Sequence, residues 1–198
     1  MKTFSRYLPT ALIMLLLPAI SWGQATAFTL DPSSTIVVKG TSTIHDWEAD
    51  VEEMDISIVL DSDELKKGSS AGSAVESFAL SVPVESMESG KRKMNKKMYE
   101  ALKKDDYPDI TFNLQSAEFA AGSDSKLNVR GDLMVAGMTK TISLPVNVTQ
   151  VNVGSYLFEG SHSLNMKDYD VDPPSAMLGA IRSGEEVEIV FNIIVKEG

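Results

Sequence analysis

The stretch Ser34 to Leu60 reads S-T-I-V-V-K-G-T-S-T-I-H-D-W-E-A-D-V-E-E-M-D-I-S-I-V-L. It begins as a strand, turns between Gly40 and Asp46, and continues as a second strand. In the second strand the apolar residues take alternate positions: Trp47, Ala49 and Val51, then Met54, Ile56, Ile58 and Leu60. A period of two marks a strand with one face in a core and the other in water. The step from Val51 to Met54 breaks the parity once, as a bulge does. The stretch also holds one of the two histidines and one of the two tryptophans, His45 and Trp47.

The same alternation recurs along the chain. Phe78, Leu80, Val82 and Val84 form one run, with Pro83 inside it. Proline cannot donate to a ladder, which places this strand at an edge or turns the missing donor outward. Ile110, Phe112 and Leu114 form another run. Leu127, Val129, Gly131, Leu133 and Val135 precede a tight turn at Ala136-Gly137-Met138-Thr139, and Ile142, Leu144, Val146 and Val148 follow it. Tyr156, Phe158, Gly160, His162, Leu164 and Met166 share a face, as do Val187, Ile189, Phe191, Ile193 and Val195. Asp61 to Ala74 is polar and rich in Ser and Gly and reads as a loop. Asp168 to Gly184, with Pro173-Pro174, reads as irregular.

The period changes once. Between Gly90 and Lys104, Met94, Met98 and Leu102 stand four apart, on one face of a helix that Pro108 follows. About eight strands with one internal helix, and no βαβ rhythm, describe an all-β fold: a single antiparallel barrel whose interior is filled by side chains or holds one small ligand.

Residues 1–23 carry Lys2 and Arg6 ahead of an apolar run from Leu8 to Ile20, then small residues. This is the pattern of a secretory signal peptide, with cleavage after Gly23 or as late as Ala25. It leaves one domain over 24–198 and implies export to the periplasm. The chain has 198 residues, a formal net charge of −10 and no cysteine. Such an acidic chain repels nucleic acid, and the absence of cysteine excludes disulfide staples, thiol catalysis and a lipoprotein anchor.

No G-x-S-x-G, H-E-x-x-H, phosphate loop or dinucleotide fingerprint is present, so the sequence does not read as an enzyme. His45 and His162 are each either a structural histidine or a polar group at a barrel mouth; two lone histidines are too few for zinc. A hydrolase or isomerase using one of them as base is the weakest reading. Asp168, Asp170 and Asp172 lack the Gly and Glu of a calcium loop. The helix bears Lys91, Arg92, Lys93, Lys96, Lys97, Lys103 and Lys104 against Glu100. That cluster is either a solvated face or a patch for an anionic membrane surface or acidic partner.

Four segments resemble the YceI-like family of lipid- or polyisoprenoid-binding proteins with a lipocalin-like barrel. They are V-K-G-T-S-T-I-H-D-W-E (38–48), K-M-Y-E-A-L-K-K-D-D-Y-P-D-I-T-F (97–112), V-R-G-D-L-M-V-A-G-M-T-K-T-I-S-L-P-V (129–146) and E-V-E-I-V-F-N-I-I-V (186–195). The chain departs from the common pattern at Asp46-Trp47-Glu48 and at Asn165 to Asp170. The resemblance implies a periplasmic carrier, with no cofactor beyond a bound isoprenoid lipid or quinone. Its apolar chain would sit against Val38, Trp47, Phe78, Leu80, Phe112 and Leu133. Tyr156, Phe158, His162 and Phe191 would complete that wall, with His45 beside it and Met94, Met98 and Leu102 on the helix at one end. The alternative is a stress-response or interaction scaffold with a filled core, docking through the basic helix. Whether the barrel forms a homodimer is left open by the sequence.

Overall fold

The computed structural model describes residues 26–67, 74–176 and 179–198. The expected leader lies outside them. The strands are β1 (Thr26–Leu30), β2 (Thr35–Ser42), β3 (Trp47–Val51), β4 (Asp55–Leu60), β5 (Val75–Pro83), β6 (Met87–Glu88), β7 (Asp109–Phe119), β8 (Lys126–Val135), β9 (Met138–Asn152), β10 (Ser155–Asn165), β11 (Ser175–Ala176) and β12 (Ile181–Glu197). Two helices, α1 (Ser62–Lys67) and α2 (Arg92–Ala101), flank β5 and β6.

The pairing reduces these pieces to eight antiparallel staves. β12 pairs with β1 through Val195 and Leu30, and with β2 through Ile189 and Val38. β4 lies on β1 just as β3 lies on β2. β5 lies on β4 and β6 on β3. β1 with β2, β3 with β4, and β5 with β6 are therefore each one long strand with a bend. From there β7, β8, β9, β10 and β12 follow in order, and β12 closes the ring on the first stave. The result is a closed eight-stranded all-β barrel, in which every stave is paired on both sides over at least part of its length.

Each bend has a local cause. Between β1 and β2, the Ser33 amide and hydroxyl donate to Asp31 Oδ1 at 2.9 and 2.6 Å. Those bonds, joined by one from Lys196, hold the Asp31 carboxyl down at about 2. Between β3 and β4 the parity break at Val51 is a three-residue interruption, Glu52 to Met54, rather than a bulge within one strand. It is held by the Glu52 amide donating to Ser86 O at 2.9 Å. Between β5 and β6 a 3₁₀ turn, Val84–Ser86, takes Val84 out of the strand.

Two expectations are corrected and one pair of alternatives is resolved. The segment 61–74 is not all loop. Asp61 Oδ1 accepts from the amides of Asp63 and Glu64 at 2.9 and 3.0 Å, capping α1 and seating Leu65 in the core. The Asp61/Glu64 spacing resembles a capping box and was the available cue. Of the two readings of Pro83, the edge strand fails, because β5 lies between β4 and β7, and the donor turned away from the ladder holds. The Val84 amide donates to Pro108 O toward β7, so the Pro83 nitrogen faces the other side, where β4 has ended opposite Ser81. The last strand begins at Ile181, six residues earlier than its regular alternation, because a register shift between Ser183 and Val187 hides the period.

At one end the barrel is packed shut: Leu60, Leu127 and Val195 have no accessible surface, and Phe28 meets Tyr156 edge-on with ring centroids 5.9 Å apart. At the other end the wall opens. β10 pairs with β9 only from Ser155 to Glu159, and beyond Gly160 it keeps β12 alone. The 3₁₀ turn Met166–Tyr169 fills the gap, with Met166 and Tyr169 packed among Leu133, Val135 and Val187. Lys140 of β9 pairs with Asp168 at 3.3 Å across it.

The turn joining β8 and β9 is Ala136-Gly137, with φ of 49° and 82°. Two positive φ values make a primed hairpin turn, which suits the strand twist. A Cβ on Gly137 would also lie 2.4 Å from the Tyr107 ring. Gly137→Ala is expected to lower stability by about 1–2 kcal/mol from the left-handed backbone alone. The displaced Tyr107 adds to that. A denaturant midpoint equal to wild type would refute it.

An apolar tunnel as the candidate functional site

Alternation turns one residue in two inward along every stave, and here those residues leave space. An inner chamber of about 180 Å³ is lined by apolar side chains, among them Ile58, Phe78, Leu80, Phe112, Leu127, Leu133, Val146, Phe158, Phe191 and Ile193. His162 is the single polar residue of its described lining. An outer chamber of about 380 Å³ lies beneath α2 and is lined by Met94, Met98, Ala101 and Leu102 of the helix and by Trp47, Leu164, Met166, Val171 and Ile181. Val38, Met87, Ile110 and Ile189 line both chambers and mark the neck of the barrel where the two adjoin.

On β12 the lining runs from Ile181 to Ile193. At roughly 3.3 Å per residue and a strand tilt of about 40°, this is about 30 Å along the barrel axis. The shape is long and narrow. It fits an extended chain and not a compact, polar substrate.

α2 covers the outer chamber and is fastened at several points. The Tyr99 hydroxyl donates to Glu85 O and Met87 O at 3.0 and 2.8 Å. Buried Asn95 accepts from the Ser89 amide and hydroxyl at 3.0 and 2.5 Å. Lys104 pairs with Glu85 and Lys103 with Asp170, both at 2.7 Å. In each pair the hydrogen bond lowers the carboxyl and raises the amine.

At the rim, the Trp47 indole lies across Gly40: a Cβ there would stand 2.3 Å from the ring. Trp47 Nε1 donates to Thr41 O at 3.0 Å, which fixes the ring as one wall of the mouth. His45 sits beside it, exposed, its Nδ1 2.8 Å from Asp46 O.

The sequence pattern of the YceI-like domain matches residues 28–195. The chain belongs to the YceI-like family. Among curated proteins, none matches the sequence. Three solved structures share the fold at low identity. Burkholderia cenocepacia BcnA is 20% identical with a TM-score of 0.68, covering 84% of this chain and 99% of that one. The Campylobacter jejuni YceI protein is 15% identical with a TM-score of 0.64, over 79% and 88%. A polyisoprenoid binding domain from Saccharophagus degradans is 15% identical with a TM-score of 0.63, over 88% and 100%.

In this YceI-like barrel the residues anticipated from the sequence fall in three places. Phe78, Leu80, Phe112, Leu133, Phe158, His162 and Phe191 line the inner chamber, and Val38 the neck. His45, Trp47, Met94, Met98 and Leu102 line the outer chamber. Tyr156 does not line either. It faces inward one layer too deep, packed against Phe28 beneath the floor, and its hydroxyl has no hydrogen-bond partner. The sequence reading omitted Met87, Ile110 and Ile189 at the neck. Ile110 and Ile189 share parity with Phe112 and Phe191, so alternation pointed to them. Met166 continues the alternating face of Tyr156 to Leu164, so parity pointed to it as well, whereas Val171, in the irregular segment, gave no periodic cue.

The two histidines are far apart in role, one on the rim and one in the inner chamber, and do not form a pair. Among the described residues no group of three or more His, Asp or Glu could hold a metal ion. The interior is hollow, unlike the filled core of a docking scaffold.

His162 lies where β10 leaves β9. Burial pushes its imidazole below the ordinary 6.5. The unfolded chain therefore takes up a proton near pH 6.5 while the folded barrel still resists it. Stability falls as pH drops through that value, until the folded imidazole titrates in turn. The lowered carboxyls act only at still lower pH. His162→Leu is expected to flatten the fall in Tm between about pH 7 and about pH 5. Parallel Tm curves for the two proteins would refute this.

Proposed function

We propose that this protein is an exported, non-enzymatic carrier that binds one long apolar chain, of isoprenoid or fatty type, inside its barrel. The observation that carries this reading is the pair of adjoining, predominantly apolar chambers that run from Ile193 to the mouth under α2. An extended chain removed from water gains roughly 25 cal/mol per Å² of apolar surface. No catalytic group is needed for that gain, and the lining offers none. The leader-like residues 1–25 support a periplasmic setting. The printed name of the Saccharophagus degradans neighbour, a polyisoprenoid binding domain, agrees with the choice of ligand.

Protein purified without detergent from a bacterial host is expected to release a lipid on solvent extraction, detectable by mass spectrometry. An empty protein that also fails to bind added polyprenol would sink the reading. The neck gives a sharper test. Ile189→Phe adds bulk where the chambers meet, at a folding cost of about 1–3 kcal/mol. It is expected to cut affinity for long chains at least tenfold while leaving the circular dichroism spectrum unchanged. Unchanged affinity would remove the inner chamber from the binding site.

A further inference from the structure

We infer that the chain held in the tunnel ends in an acidic head group, phosphate or carboxylate, seated among Lys91, Lys93 and Lys97 at the mouth. This rests on the tunnel being a lipid site.

The inference comes from how charge is distributed. The chain has 28 acidic and 18 basic residues. All the acidic residues lie in the described parts of the structure. Yet the described lining of the outer chamber contains three lysines and no Asp or Glu. Elsewhere on and around α2 the lysines find carboxylates: Lys96 with Glu100, Lys103 with Asp170, Lys104 with Glu85, Lys167 with Asp172. Among the described residues Lys91, Lys93 and Lys97 form no ion pair. Lys97 Nζ instead donates to the Ser175 carbonyl, on the segment that closes the rim opposite the helix. An acidic protein with abundant partners has left these three cations facing an apolar chamber without a counter-charge.

The helix end strengthens the point. α2 starts at the mouth, with Lys91 as its N-cap and no side chain capping it. Its first turn has no acidic residue and contains Arg92 and Lys93. The N-terminus of a helix carries partial positive charge and favours anions, so cations there are misplaced for stability. Glu88 accepts from the Gly90 amide at 2.7 Å just ahead of the helix but does not line the chamber, so Lys91 and Lys93 at the helix start and Lys97 farther along it face the chamber with no carboxylate in its described lining. A lipid whose tail fills the chambers would bring its head to this point. A neutral head, such as a quinone ring or an alcohol, would leave the charges unbalanced.

The test compares heads on a fixed tail. Binding of oleate against oleyl alcohol, and of farnesyl monophosphate against farnesol, is measured for delipidated wild type and for the K91M/K93M/K97M protein. Methionine keeps the apolar stem. Wild type is expected to prefer the acid in each pair at least tenfold at low salt, with the preference shrinking as salt screens it. The triple variant is expected to bind acid and alcohol within twofold of each other. Equal binding of acid and alcohol by wild type, or a preference that survives in the triple variant, overturns the inference while leaving the carrier reading intact. Failure of all four probes overturns the carrier reading itself. Association with vesicles of phosphatidylglycerol and phosphatidylcholine distinguishes the remaining source of anionic heads. Lysine-dependent vesicle binding without acid preference in the soluble pairs assigns the lysines to a bilayer surface and overturns the inference.

Discussion

The rest of the structure depends on β12, because that strand shuts the ring. Its 17 residues pair with β10 on one side and with both halves of the first stave on the other. Once the ring is shut, half of every stave must point inward, and the interior can only be as full as those side chains make it. Val195 at the closed end is fully buried, whereas Phe191 and Ile189 farther up the same strand border open space. The floor and the tunnel are thus built from one alternating pattern. What separates them is the closure of the sheet: β1, β4 and β9 all pair around the floor, while β9 has left β10 by the level of His162.

That separation explains what the sequence could and could not reveal. Inward and outward faces were legible because period two is local. The two-residue turn at Ala136-Gly137 and the Met94–Met98–Leu102 helix face were legible for the same reason. The depth of a residue along the barrel was not legible. Tyr156 and Phe158 are indistinguishable by parity, yet one lies beneath the floor and the other lines the cavity. Depth follows from register between strands distant in sequence, such as Tyr156 with Val195. Nor could sequence tell which lysines of the basic helix were neutralised, because their partners Glu85 and Asp170 come from two other segments.

The placement of α2 resolves a tension between holding a ligand and exchanging it. A chain occupying both chambers, as proposed, would bury apolar surface over about 30 Å, and an immovable cover would then make its release slow. The helix, however, is fixed mainly at its rim. Its ion pairs to Glu85 and Asp170 are solvent-exposed, and such pairs are weak and screened by salt. Its apolar face is anchored in the core by buried Met98, while Met94 and Leu102 on either side are only half-buried and border the chamber. Methionine adapts its shape to irregular contacts, so this face can repack around different occupants at little cost.

The same reasoning bears on catalysis. A reacting site needs groups held within hydrogen-bond reach of one another, and a general base needs a proton within reach. His162 has apolar neighbours such as Ile189 and the inner chamber's aliphatic lining. Its lowered pKa comes from burial alone, with no charged partner contributing. A base tuned for work is usually held by a second polar group, and the described lining of the inner chamber has no polar residue besides His162. The imidazole is better understood through its location at the seam where β10 leaves β9. There it is half-buried, and its neutral form fits the apolar chamber. In this barrel, polarity is confined to the rim and the seam, and the space between them is lined by apolar side chains.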